Sequence, residues 1–316
     1  MEVFSMRAAQ INEYGDRDVL KFTQEAEKPS AGAGQVLVEV HAASVNPFDY
    51  KVRTGQARHM AEVPFPATLG GDVAGTVAEI GDGVEGFTVG QEVYGQANSM
   101  SGQGSFAEFT PVKTDALAAK PASLDFIAAA ATPLTAVSAY QALVDTLHLS
   151  AGQKILIHGG AGGIGSFAIP LAKHLGAYVA TTVSPEDTDY VRQLGADEII
   201  DYTSEKFEDK LHDYDAVFDT VGGETYTRSF AVLMPGGQIV SMLEQPSKDL
   251  EAEHDVTATH QFTVVTTERL KQIAQLVDEG VLQVTIDKTF PLEDAAEALE
   301  YIHAGHHRGK IVIRVK

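Results

Sequence analysis

Residues 154–182 read KILIHGGAGGIGSFAIPLAKHLGAYVATT. The apolar run Ile155–Ile157, bounded by polar residues, predicts a short strand buried on both faces. A turn dense in glycine follows, and then Ile164, Ala168, Leu171, Ala172 and Leu175 recur at helical spacing until Gly176. A second strand is expected over Tyr178–Thr182. Strand, glycine turn, helix and strand within about thirty residues make the βαβ unit of a dinucleotide-binding parallel sheet.

Within that unit Gly160, Gly162 and Gly165 fit G-x-G-x-x-G, with Ala161, Gly163 and Ile164 completing the turn. The first glycine permits the tight turn, the second lets backbone approach a pyrophosphate, and the third lets helix lie close on strand. The phosphates are then expected at the positive end of the helix that begins near Ile164. A glycine turn alone reads as a flexible loop; the flanking strand and helix make this one a cofactor site. Where an NAD-selective protein carries an acid for the ribose hydroxyls, this chain has Ser184, followed by Pro185, Glu186 and Asp187. A small neutral residue leaves room for a 2′-phosphate, so NADPH is the expected cofactor and NADH the alternative.

The chain has 316 residues, enough for about two domains, and 44% of them are hydrophobic. No apolar run approaches the roughly eighteen residues of a membrane helix, and the N-terminal stretch lacks the pattern of a secretory signal. There is no cysteine, which excludes disulfides and thiolate metal sites and fits a cytoplasmic protein. With 23 Lys and Arg against 44 Asp and Glu, the net charge is −21. Such a field disfavours nucleic acid and anionic membrane as partners. An anionic cofactor must therefore be met by backbone amides and a few local cations.

Residues 1–125 read as mostly β. Strands are expected at Met6–Ile11, Val36–Ala42, Val73–Ile80 and Glu92–Tyr94, with Val36, Val38 and Val40 on one face. Glycine turns between short strands predict a partly open barrel. Helical signal begins at Leu124–Ala131 and Ala136–Thr146. After Thr182 strands and helices alternate: helix Asp187–Leu194, strand Glu198–Ile200, strand Ala216–Asp219, helix Glu224–Leu233, strand Gln238–Ser241 and strand Phe262–Val265. The fold class is thus α/β, with a doubly wound parallel sheet. Segment 244–260 is polar and reads as an irregular surface loop. Helix Glu268–Glu279, strand Val284–Phe290, helix Leu292–His303 and strand Lys310–Val315 close the chain and are expected to rejoin the first domain.

Several stretches, taken in order, resemble the medium-chain dehydrogenase/reductase superfamily, and within it the zinc-independent quinone oxidoreductases that include zeta-crystallin. They are AASVNPFDYKVRTG at 42–55, LGGDVAGTVAEIG at 69–81, GSFAEF at 104–109, TAVSAY at 135–140, the glycine turn, VFDTVGG at 217–223 and RGKIVIRV at 308–315. The resemblance implies a GroES-like catalytic domain from 1–125 and 266–316, a Rossmann NADP-binding domain over 126–265, a cleft between them, and a homodimer. The metal-dependent branch of the family holds zinc with a Cys and with the His of a G-H-E motif. Here Asn46 takes the first position and Gly70-Gly71-Asp72 the second, so no metal ligand is expected. His303, His306 and His307 at a helix end read as solvated histidines rather than a metal cluster.

A nicotinamide site without a metal can pass hydride to an acceptor that is already electrophilic, a quinone or an α,β-unsaturated carbonyl. The protein must align the acceptor and donate hydrogen bonds to the oxygen that gains charge. The resemblance points to Asn46 and Tyr50, in the stretch matching the family's N-P-x-D, as the candidate catalytic residues; their plainer readings are a turn signal and an interface aromatic. Asp49 is expected to brace the loop, and Lys51 and Arg53 to face solvent. Tyr202 matches a tyrosine near the adenosine 2′-phosphate and Thr135 a residue near the nicotinamide ribose. Val221 and Leu243 are expected at the carboxyl edge of the sheet, and Arg308 and Lys310 at the cofactor. The resulting reading is reduction of a small quinone or enone acceptor. Its rivals are an enoyl-thioester or alkenal reductase on the same scaffold, and a catalytically quiet NADPH-binding protein.

Overall fold

The computed structural model describes residues 5–305 and 307–316, so His306 lies outside the described residues. Its strands, in chain order, are β1 (Ser5–Ile11), β2 (Lys21–Glu27), β3 (Gln35–Val45), β4 (Ala67–Thr68), β5 (Asp72–Ile80), β6 (Glu92–Gln96), β7 (Phe109–Lys113) and β8 (Leu117–Ala119). They continue with β9 (Lys154–His158), β10 (Tyr178–Val183), β11 (Glu198–Asp201), β12 (Tyr214–Asp219), β13 (Leu233–Ser241), β14 (Thr257–His260), β15 (Ile286–Pro291) and β16 (Lys310–Arg314). The chain divides into two compact units: one takes the chain up to Leu134 with Val265–Asp278 and Val284–Lys316, the other Thr135–Val264 with Glu279–Gln283.

The first unit is built on β3. It pairs antiparallel with β5, β7 and β16, within a sheet of order β15-β16-β3-β5-β6-β8, and a smaller sheet runs β2-β1-β4. Val36, Val38 and Val40 are buried, as their alternation predicts. They share one core with Val45, Phe106, Ile311 and Ile313. Ile311 lies opposite Val45 and Arg314 opposite Ala42, so the C-terminal return is a full member of this sheet.

The second unit is a parallel sheet of order β11-β10-β9-β12-β13-β14. Strand order reverses between β9 and β12, and ligands of doubly wound sheets bind at the carboxyl ends beside that reversal. The glycine turn leaves β9 at this point.

Three expectations need correction. Segment 244–260 is not irregular: it forms a helix, Lys248–His254, and the edge strand β14. Ser247 caps the helix by accepting from the Leu250 amide, and Asp255 ends it in the left-handed region at φ 54°. None of its residues is buried, so its sequence carries no apolar period. The strand expected at Phe262–Val265 is absent, because the Gln141 carboxamide takes its place in the ladder. Gln141 Nε2 donates to the Phe262 carbonyl and Oε1 accepts from the Val264 amide. The helix expected to run to Leu233 is α-helical to Ser229 and tightens to a 3-10 turn over Phe230–Val232, and Leu233 already belongs to β13. Met234–Gly237 forms a bulge there, since Tyr214 pairs with Leu233 and Ala216 with Gln238.

Candidate active site

At the glycine turn, spacing and packing separate three roles. A Cβ at Gly160 would stand 2.1 Å from Thr181 Oγ1, and one at Gly165 would stand 2.3 Å from the Gly159 carbonyl oxygen. The protein's own packing therefore demands both. A Cβ at Gly162 would meet only the Gly159 oxygen, at 3.4 Å. Nothing among the described residues requires a glycine there, so the open space above it fits a group that comes from outside. The helix Gly165–His174 starts immediately behind, and the positive end of its dipole suits an anion. The residues present thus fit a dinucleotide pyrophosphate.

The turn rests on a buried histidine that the sequence reading did not single out. His158 Nδ1 lies 3.0 Å from Thr182 Oγ1 and Nε2 lies 2.9 Å from Ser229 Oγ. Ser229 spends its own hydroxyl proton on the Thr225 carbonyl at 2.6 Å, so it accepts from His158. The proton therefore sits on Nε2, and Nδ1 accepts from Thr182. Thr182 in turn accepts from the Gly159 amide. Burial, with Arg228 nearby, pushes the His158 pKa down to about 3.

Other expected cofactor residues follow the carboxyl ends of neighbouring strands: Ser184 after β10, Tyr202 after β11, Val221 after β12 and Leu243 after β13. Tyr202, Val221 and Leu243 are exposed. Asp219, fully buried, was missed by the sequence reading although it lies inside VFDTVGG. Its Oδ1 accepts from the Val221 and Gly222 amides, and its Oδ2 from Ser241 Oγ at 2.6 Å. Ser241 Oγ then accepts from the Leu243 and Glu244 amides. One buried carboxylate thereby sets both loops. Ser184 is nearly buried and donates to Asp187 Oδ2 at 3.2 Å. Thr135 is buried near the start of the helix Pro133–Tyr140.

The first unit gathers the remaining candidates around a buried charge cluster. Asn46 caps the short helix Pro47–Arg53, and its amide donates to Asp49 Oδ2 at 2.8 Å, so Asp49 braces the loop as expected. Asn46 Nδ2 donates to Asp72 Oδ2 at 2.9 Å, and Asp72 Oδ1 accepts from the Leu134 amide at 3.0 Å. Lys310 Nζ donates to Asn46 Oδ1 at 2.5 Å and to the Val45 carbonyl at 3.2 Å. Burial raises the carboxyl of Asp49 to about 7 and that of Asp72 to about 6; the bond from the Asn46 amide and the Lys310 charge, respectively, are the leading opposing effects. Burial likewise lowers the Lys310 ammonium, and Asp72 and Asp49 pull it back up.

Lys310 and Arg308, expected together at the cofactor, are placed differently. Lys310 is 2% exposed and committed to Asn46, whereas Arg308 is exposed. Arg53 does not face solvent as expected. It is 1% exposed, pairs with Glu300 at 2.6 Å and sets its guanidinium 4.8 Å from the Tyr50 ring centre. Tyr50 is half-buried and stacks on His303 at 3.9 Å with an interplanar angle of 10°. The helix pair Pro47–Arg53 and Ala295–Ala304 holds these side chains by contact.

Residues 32–122 match the family described as alcohol dehydrogenase GroES-like domain, and residues 194–313 match that described as zinc-binding dehydrogenase. An NADPH-dependent alkenal/one oxidoreductase of Arabidopsis thaliana chloroplasts is 37% identical over 98% of this chain and 79% of its own length. The quinone oxidoreductase of Coxiella burnetii superposes with a TM-score of 0.90 at 32% identity, covering 99% of this chain and all (100%) of that one. The Escherichia coli quinone oxidoreductase complexed with NADPH gives 0.88 at 25% identity, over 98% and 100%. The chain belongs to the quinone oxidoreductases of the medium-chain dehydrogenase/reductase superfamily.

The zinc in one family description does not fit the residues present. On the resemblance, Asn46 and Gly71 stand at the positions where the metal-dependent branch has a thiolate and an imidazole. The Asn46 oxygen already accepts from an ammonium, which is itself the cation of the cluster and would repel a second one.

Two predictions follow from this geometry. Gly162→Ala should fold with unchanged melting temperature yet weaken NADPH binding at least tenfold by fluorescence titration, whereas Gly165→Ala should lower the melting temperature by forcing backbone apart. His158 has a folded pKa below its unfolded value of about 6.5, so it contributes nothing above that pH. As pH falls below it, only the unfolded state takes up the proton, and about 2 kcal/mol of stability is lost by pH 5. In denaturant titrations from pH 8 to pH 5, wild type should lose that amount relative to His158→Gln.

Proposed function

We propose that the protein is an NADPH-dependent, metal-independent oxidoreductase that transfers hydride to quinones or α,β-unsaturated carbonyls. The observation that carries this reading is the amide and ammonium cluster at Asn46, which offers hydrogen-bond donation where related enzymes hold a metal. The names of the relatives support the same reaction class and the same cofactor. When bound, NADPH supplies hydride from the C4 carbon of its nicotinamide.

This chain's residues supply the rest. The glycine turn and the helix Gly165–His174 receive the pyrophosphate, and Ser184 leaves room for the 2′-phosphate. Glu186 and Asp187 beside it keep NADH as a slower alternative, because a carboxylate opposes the phosphate and tolerates a free ribose. Asn46 donates to the acceptor oxygen as that oxygen gains charge, and Tyr50 or solvent provides the proton. Arg53 and His303 hold the Tyr50 ring in one orientation.

We also propose a homodimer formed through the outer edge of β14, the last strand of its sheet, and a cytoplasmic location supported by the absence of cysteine. The net charge of −21 supports a small-molecule acceptor over nucleic acid or an anionic membrane. The test follows loss of reduced-cofactor absorbance with a benzoquinone, a naphthoquinone, a short alkenal and an enoyl thioester. Turnover should be faster with NADPH than with NADH, and Asn46→Ala should lower kcat by about tenfold or more while leaving NADPH affinity unchanged. A clear preference for the thioester would move the protein to that rival class. NADPH binding without oxidation by any acceptor would make it a quiet binding protein.

A further inference from the structure

Lys310 is a buried cation for which hydride transfer has no direct use. Its place is set by register: Ile311 pairs with Val45, so the residue before Ile311 falls beside Asn46, 264 positions away in sequence. Gly309 makes the approach at φ 69°, and a Cβ there would lie 2.3 Å from the Thr285 carbonyl oxygen. The chain is thus bent to deliver an ammonium to one carboxamide oxygen.

A carboxamide can present its oxygen or its NH2 group to a partner, and a half-turn exchanges them. Here both orientations are not equivalent. As placed, the oxygen faces the Lys310 ammonium and one N–H faces the Asp72 carboxylate. Turned over, the NH2 would face the ammonium and the oxygen would face the carboxylate, so both contacts would become repulsive. The two charges also polarise the amide in the same sense, which strengthens its N–H groups as donors. The bonds inside the cluster use one N–H and engage the oxygen with the ammonium, and the donor they leave is the second N–H.

We propose that Lys310 is a positioning residue that locks the Asn46 carboxamide through its oxygen and so makes Asn46 a donor, never an acceptor, toward the oxygen of the bound quinone or enone. This rests on the role assigned to Asn46 above. It assigns to Lys310 a part in orienting the acceptor's hydrogen-bond donor and none in holding the cofactor. Asp72 is the opposite jaw, and its second oxygen is fixed by the Leu134 amide.

The test is a double-mutant cycle between Lys310→Met and Asn46→Ala, read as kcat with the best acceptor, beside NADPH dissociation constants by fluorescence titration. Lys310→Met should lower kcat at least fivefold with NADPH affinity unchanged, and should cause no further loss once Asn46 is alanine. Losses that multiply in the double variant would overturn the proposal, as would weakened NADPH binding in Lys310→Met. The role of Asn46 itself is read separately, from Asn46→Ala alone. If Lys310→Met does not fold, Lys310→Met combined with Asp72→Asn removes one charge of each sign, and the same cycle is run on that pair. Full kcat in that pair would overturn the proposal. In the protein without cofactor, the Asn46 side-chain NH2 resonances should be one sharp pair in wild type and broadened or doubled in the Lys310 variant. Unchanged resonances would count against the lock.

Discussion

An ammonium group held out of water, against a carboxamide oxygen and a backbone carbonyl, is the constraint on which the rest of the first unit depends. Burying a charge is costly unless it is paired and hydrogen-bonded. The chain meets that cost with Asp72, Asp49 and Asn46, all buried, contributed by β5 and by the helix Pro47–Arg53 with its N-cap. The arrangement works only if β16 returns to β3 in one register, because a one-residue slip would turn Lys310 to the opposite face. Closure of the sheet and assembly of the polar cluster are therefore one event. The apolar partners Ile311 and Ile313, seated in the common core, enforce the register that the charges require.

The second unit obeys a different constraint, the close approach of backbone to backbone at the glycine turn. Gly165 lies against Gly159 with no room for a methyl group, which brings the helix start to the end of β9. His158 and Asp219, both uncharged or fully bonded within the interior, stiffen the surroundings of that turn. They act through hydroxyls and backbone amides rather than through surface charge, which suits an anionic cofactor in a strongly acidic protein. Buried neutral imidazole at His158 and buried carboxyls at Asp49 and Asp72 respond to acid in opposite directions. Lower pH penalises the first and relieves the other two.

The parallel sheet was legible because its strands are short apolar runs separated by glycine and helical spacing, and the order of motifs made the C-terminal return legible too. The helix Lys248–His254 was not, since no side chain of it is buried and a polar helix has no period to read. Nor was the stretch Phe262–Val265, whose apolar residues mimic a strand while a glutamine side chain replaces the ladder. In the site, the glycines stood out by local pattern and Asn46 by the family resemblance of its stretch. Lys310 was expected at the cofactor together with Arg308, and only a pairing across 264 residues reveals the partner its ammonium takes. Arg53 was misjudged for a similar reason, as Glu300 lies on a helix far along the chain. Asp72 and Asp219 lie inside stretches that carry the resemblance but had no role read for them, and His158 carries no local signal, because a buried polar residue is recognised by what surrounds it.

In the proposed function, an amide held by an ammonium takes the part that the resemblance gives to a metal in the metal-dependent branch. The measurement that addresses it most directly is NADPH oxidation by a naphthoquinone or a short alkenal, before and after exhaustive chelation, with metal content determined on the same sample. The account predicts unchanged turnover in protein free of zinc, and no gain when zinc is added back. Activity lost on chelation and restored by zinc would contradict it.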